Sequence, residues 1–333
     1  VDKYAAHLAD LFQHACNGRA QLSGLHLLAL SGGLDSRAVA AGLVEAGDPL
    51  HGATMSRPDR YPGDEVAIAH AVAQRLGLPW QEVVLPPSRG ENYLELFKIK
   101  QGLNELDMAF HMAFFHRIRE QYGERMVYFT GDGGDKALPD LCPQLHLRDA
   151  AAACSFTVHR RGVFTLAESA ALTGLPERSL REALLNHFAG YPESDGNGCY
   201  THFLIHERGR RWLYEGEDRN RHFFWSSSPF YSPTFFRAAM ACPQPLKRSY
   251  RLYRAFLACL RPELAELRTA GMPGAIGSAA FALRYRFVTL AKSRPRLARY
   301  LQHLLRPVRG FPATEPVLQL LDEQIGVLSK TGL

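Results

Sequence analysis

The chain predicts an α/β fold in which a parallel, doubly wound sheet is followed by a mainly helical region. Three observations carry that prediction. Up to Thr130, short apolar runs alternate with helix-period segments, the pattern of βαβ units whose strands are covered on both faces. Two of those runs break into glycine corners bearing carboxylates, Ser31-Gly32-Gly33-Leu34-Asp35-Ser36 and Thr130-Gly131-Asp132-Gly133-Gly134-Asp135. Beyond Leu138-Pro139 the strand pattern fades, and Gly and Pro separate helix-like stretches.

The elements follow in order. Residues 3–16 are amphipathic and predict a helix, and the apolar run Leu25–Leu30 predicts a buried strand. Arg37–Glu45 reads as a helix, Leu50–Met55 as a strand, Gly63–Leu76 as a helix and Gln81–Leu85 as a strand. Two helical stretches, Asn92–Lys100 and Asp107–Tyr122, lead to the strand Met126–Thr130. Right-handed crossovers put the helices on both faces. In the second half helices are predicted over Leu166–Leu172, Ser179–Phe188, Thr201–Leu213, Pro233–Ala241, Ser249–Leu260 and Leu283–Leu305, with Tyr191–Gly198 as an exposed loop. The expected division is an α/β domain over 1–140 and a helical acceptor or substrate region over 141–333.

Composition narrows the class. With 46% hydrophobic and 22% charged residues the chain suits a globular protein. No apolar stretch approaches the ~18 residues of a membrane span, and the nearest, Ala270–Leu283, is broken by Pro273 and glycines. The six cysteines are scattered without a Cys-x-x-Cys pair, so neither a zinc site nor a disulfide scaffold is indicated. No secretory signal is read, and the expected location is the cytoplasm. Residues 1–140 hold 13 basic and 18 acidic side chains, whereas residues 141–333 hold 26 and 15. The basic half suits an anionic substrate or acidic partner. It has no interleaved aromatic-basic stripe, so nucleic acid is not an expected partner.

The first corner has the make-up of an anion site. Backbone N–H groups and a helix N-terminus face one hollow, two hydroxyls flank it, and glycine leaves room for phosphate. Asp35 beside such a cradle makes sense if Mg²⁺ bridges carboxylate and phosphate. The second corner repeats the plan. In open parallel sheets ligands bind beyond the carboxyl ends of the strands, so both corners are expected at one crevice with Asp35 and Asp135 sharing a metal.

At these residues the chain resembles a family. Ser31–Ser36 is similar to the pyrophosphate loop of the N-type ATP pyrophosphatases, and Thr130–Asp135 to the second signature of the asparagine synthetase synthetase domain. Pro229–Pro233 and Pro245-Leu246-Lys247 resemble the segment carrying that family's late lysine. The resemblance implies an adenine-nucleotide alpha-hydrolase-like fold and an ATP-dependent, AMP-forming amide ligase. It implies that Leu30, Ser31, Gly32, Gly33, Asp35, Ser36, Met55, Thr130 and Gly131 hold ATP and that Asp35 and Asp135 hold Mg²⁺. Asp132 stands where the family often has a catalytic glutamate, and Lys247 is expected to aim its ammonium at the α-phosphate. Leu30 and Met55 read equally as ordinary core.

Two residues depart from the family pattern: Lys136 replaces an acidic residue, and Arg37 replaces a small one and is expected at the surface. The runs His206–Arg211 and Arg219–His222 read as solvated helix faces, with the acceptor side as the alternative. Expected partners are a small-molecule or peptide carboxylate and ammonia or an amine, delivered directly or by a glutaminase domain or subunit not in this chain. A homodimer is left open. An adenylating enzyme acting on tRNA and a non-catalytic nucleotide-binding scaffold are the alternative functions.

Overall fold

A computed structural model describes residues 1–57, 63–101, 106–143, 145–162, 164–213 and 215–293. Five parallel strands form one sheet: β1 (Leu25–Ala29), β2 (His51–Ser56), β3 (Trp80–Val84), β4 (Met126–Phe129) and β5 (Trp225–Ser227), in the order β3-β2-β1-β4-β5. Helices lie between them in sequence: α1 (Asp2–Ala20), α2 (Leu34–Glu45), α3 (Gly63–Leu76), α4 (Gly90–Lys100), α5 (Phe110–Tyr122) and the short α6 (Gly134–Ala137). The predicted α/β architecture is therefore observed, and each strand through β4 lies within a residue or so of its expected place.

Side chains of β1 alternate between two cores, as strand geometry requires. Leu28 belongs to a cluster with α1, α2 and α3, while Leu27 joins one built from α4 and α5. Phe12 of α1 is fully buried, and its ring lies 4.7, 5.2 and 5.3 Å from those of Phe230, Phe235 and Phe256. Burying one such side chain contributes roughly 1.5–3 kcal/mol. The start of the chain is thereby fastened to α12 (Pro233–Ala241) and α14 (Arg251–Leu260).

The second half departs from expectation in three elements. A helix, α7 (Ala150–Arg161), begins at Asp149, whose side chain accepts a hydrogen bond from the Ala152 N–H. Asp before an alanine run is an N-cap pattern, so this helix was legible. α11 (Glu215–Arg221) is polar on every side and gives no apolar period. β5 has only three residues, two of them serine, too few for a strand pattern, yet it pairs with β4. Between these come α8 (Leu166–Thr173), α9 (Glu177–Ala189) and α10 (Gly196–His202), so the expected loop Tyr191–Gly198 ends inside a helix. A third apolar cluster, from Leu147 to Leu204, packs α7, α9 and α10 apart from the sheet cores. α10 runs into a π-helix over Phe203–Leu213, a form that often marks functional sites.

After α12 come the short α13 (Gln244–Lys247), then α14, the short α15 (Pro262–Ala265) and α16 (Ala279–Ser293). The predicted helix Leu283–Leu305 is seen to Ser293, and its remainder lies outside the described residues. Among the described residues no helix is long and apolar enough to cross a membrane.

Candidate active site

From β1 the chain moves outward through β2 to β3, then returns to the opposite side of β1 as β4. Neighbouring strands that lead away in opposite directions leave a crevice at their carboxyl ends. Both glycine corners open there, because Ser31–Ser36 follows β1 and Thr130–Asp135 follows β4. They are in contact. A Cβ on Gly131 would lie 2.6 Å from the Ser36 nitrogen, and one on Gly134 would lie 2.5 Å from Asp35 Oδ1. Gly133 takes φ +94°, a left-handed conformation that favours glycine.

The first corner is tied internally. The Ser31 N–H donates to Ser36 Oγ at 3.0 Å, the two serine hydroxyls are 3.0 Å apart, and the Gly33 N–H donates to Ser31 Oγ at 3.2 Å. Gly33 caps α2 without a side-chain bond, so no side chain of the cap fills the helix's positive end.

Asp35 accepts a 2.6 Å hydrogen bond from the hydroxyl of Tyr253, a fully buried residue of α14. Enclosure by protein pushes the Asp35 carboxyl up to about 7, and the nearby Asp135 carboxylate adds to the rise. A carboxyl enclosed beside a second carboxylate suits a shared cation. The Lys136 ammonium already pairs with Asp135 and marks a place for positive charge. Among the described residues there is no cluster of three or more His, Cys, Asp or Glu fit to hold a metal. Two carboxylates beside an anion hollow would suit a hard divalent cation such as Mg²⁺.

The floor of the crevice holds a second carboxyl pair. Thr130 Oγ1 donates to Glu217 Oε1 at 2.7 Å, and Glu217 of α11 is buried. The other Glu217 oxygen is buried with no hydrogen-bond partner among the described residues. Asp132 opens to the cavity but has protein around most of it. That enclosure, together with adjacent Glu217, holds its carboxyl well above the ordinary range. Buried Arg219 lies near both and lowers the proton affinity of Asp132. Ser228 Oγ donates to the Asp132 carbonyl at 2.7 Å, which fixes the backbone of the corner from beyond β5.

Asp35, Asp132 and Asp135 face a cavity of about 1050 Å³, with Arg219 also on its wall. Of the residues expected to form the site, Ser31, Asp35, Ser36, Met55, Thr130, Gly131, Asp132 and Asp135 all line it. Gly32 and Gly33 stand behind the wall and shape the corner. Leu30 is a correction: it is buried in the core beneath, and the preceding Ala29 faces the cavity instead, as strand alternation dictates. Lys247 is another. Fully buried, it donates from Nζ to the carbonyl of Ala137 at 2.9 Å, holding the carboxyl end of α6, and it does not line the cavity. Arg37, expected at the surface, is fully buried. Of the basic runs, His206, Arg208, Arg210 and Arg219 line the cavity. Sequence reasoning missed Glu217 and Tyr253, which no motif distinguishes from other buried residues.

The chain matches the family model for asparagine synthase over residues 7–195, more than half its length and a span containing both corners. Among solved structures it is similar to NMN synthetase from Francisella tularensis, at 14% identity and a TM-score of 0.30, over 63% of this chain and 94% of that one. No curated protein matches it. The family match covers the two signatures whose corners meet at the sheet's switch point, and the chain belongs to the asparagine synthase family.

Proposed function

We propose that the chain is an ATP-dependent ligase that joins a substrate carboxylate to a nitrogen nucleophile through an acyl-adenylate, releasing pyrophosphate and AMP. The observation carrying this reading is the meeting of the two corners, with Asp35 and Asp135 facing one another beside the Ser31–Ser36 hollow. Membership of the asparagine synthase family supports it.

The residues divide the work. Ser31, Ser36 and the α2 amides grip the pyrophosphate portion of ATP, and Gly131 lets the second corner's backbone approach close by. Met55 and Ala29 wall the base side. Asp35 and Asp135 hold Mg²⁺, which when bound neutralises the charge of the leaving pyrophosphate. Lys136, beside Asp135 on the cavity wall, would offer its ammonium to a phosphate oxygen. With the carboxylate and nucleotide held in line, orientation supplies much of the acceleration.

The second half-reaction needs a base for the attacking nitrogen. Asp132 accepts that proton, and its raised proton affinity suits work near neutrality. Lys247 takes no part in this scheme. Residues 141–213, with their own apolar cluster, would shape the acceptor side through the π-helix. The carboxylate, the nitrogen source and any glutaminase partner are defined by this reading only as classes.

ATP–pyrophosphate exchange screened over amino acids, other carboxylates and peptides, with and without ammonia, tests the proposal. Exchange dependent on one carboxylate and lost by at least about a hundredfold in Asp35→Ala supports it. Steep, salt-dependent tRNA binding with exchange indifferent to every carboxylate favours the nucleotide-modifying alternative. No exchange under any condition favours the scaffold.

A further inference from the structure

Arg37 is the largest fully buried side chain of the nucleotide corner's own helix, and no described carboxylate pairs with it. Its guanidinium donates to four backbone carbonyls: Nη1 to Leu264 at 2.9 Å and Leu267 at 3.2 Å, Nη2 to Arg268 at 2.6 Å and Gly32 at 3.3 Å. The Gly32 carbonyl takes a second donor, the Ala270 N–H, at 3.1 Å. A buried charge satisfied only by dipoles is expensive, so what it holds in place matters.

In a trans peptide the C=O and the following N–H point to opposite sides. Pinning the Gly32 carbonyl rearward therefore turns the Gly33 N–H forward, where it meets Ser31 Oγ at 3.2 Å. Ser31 in turn lies 3.0 Å from Ser36 Oγ, and both hydroxyls line the cavity. A flipped Gly32–Gly33 peptide would present an oxygen toward the anion and deprive Ser31 of its donor. Glycine at both positions makes such a flip sterically easy.

We propose that Arg37 is a positioning residue for the triphosphate. It clamps the Gly32–Gly33 peptide against the 264–270 segment, so that the corner shows donors to the phosphates. Arg37 touches neither ligand nor cavity and acts through the peptide. This inference rests on the nucleotide reading above and adds to it a specific division: Arg37 serves the β and γ phosphates and leaves the nucleoside end alone.

Titration calorimetry of the full chain with MgATP and with AMP tests it, using wild type, Arg37→Met and Arg37→Lys. Arg37→Met is expected to weaken MgATP by about tenfold or more while shifting AMP by less than about twofold; Arg37→Lys, keeping the charge and a donor, recovers part of the loss. Equal losses for both nucleotides, or an unchanged MgATP affinity in a variant with the wild-type circular dichroism spectrum, overturn the inference. Hydrogen exchange of the unaltered chain gives a reading that no folding failure can spoil. MgATP is expected to slow exchange at the Ala270 amide by about tenfold and AMP to leave it unchanged. No MgATP effect at Ala270 overturns the proposal. A wild-type chain that binds neither nucleotide overturns the functional reading itself, and the inference falls with it.

Discussion

A methyl group's width separates the two corners. A Cβ on Gly134 would sit 2.5 Å from a carboxylate oxygen of Asp35 and 2.9 Å from the Phe230 ring, so a methyl there pushes the Asp35 carboxylate aside. Gly134→Ala is expected to fold and to lose pyrophosphate exchange by about a hundredfold, because displacing a reacting group by an ångström costs that much; exchange kinetics beside circular dichroism check this. Lys247 makes the opposite case. Removing its ammonium strands the Ala137 carbonyl, so Lys247→Met is expected to cost about 1–3 kcal/mol of stability in urea unfolding, with the exchange reaction retained. Retained stability with abolished exchange would return Lys247 to the chemistry. At this scale Ser31–Ser36 and Thr130–Asp135 were legible because their chemistry is local: residue type and spacing already make a cradle. Lys247 and Arg37 were not. A cation in a sequence reads as a surface or ligand-facing group, and only the folded chain shows carbonyls converging on it.

Elements bring the floor of the site together. α11 delivers Glu217 beside Asp132, and the Glu217 carboxylate makes Asp132 harder to ionise. The base form of Asp132 is present above its raised pKa and is lost as pH falls through it. Amide formation is therefore expected to fall on acidification from neutrality. In Glu217→Gln the neighbouring negative charge is gone, so Asp132 ionises more readily and the acidic limb moves to lower pH, by about one unit or more. A pH–rate profile of both proteins settles it, and a limb that stays in place or moves upward removes the pair from the mechanism. α11 and β5 escaped the sequence for physical reasons. One is polar all round and is held by Glu217, Arg219 and Asn220 turning inward, and the other is three residues laid on an existing strand edge. Strands β1 and β4 were legible because burial on both faces imposes apolar runs.

Across the whole molecule, the matched span 7–195 contains both corners but not what supports them. The Thr130 N–H donates to Ser227, the Asp132 carbonyl accepts from Ser228, and Asp35 accepts from Tyr253. A fragment ending at residue 195 also strips three aromatic neighbours from Phe12. It is expected to show no MgATP binding by calorimetry and no cooperative thermal unfolding, and a fragment that binds would show that the later supports are dispensable. The segregation of charge was visible in the sequence, and the structure brings both signs to one cavity: the carboxylates of the corners and Arg208, Arg210, Arg219 and Arg237 of the basic half.

Arg37 and the carbonyl of Arg268 are 231 residues apart in the chain. A ribosome emits the amino end first, so the nascent polypeptide displays its phosphate cradle long before it can set the orientation of that cradle's glycine peptide. Until residue 270 has emerged, the Arg37 clamp on that peptide is incomplete, and the nascent chain is expected to hold MgATP more weakly than the finished one.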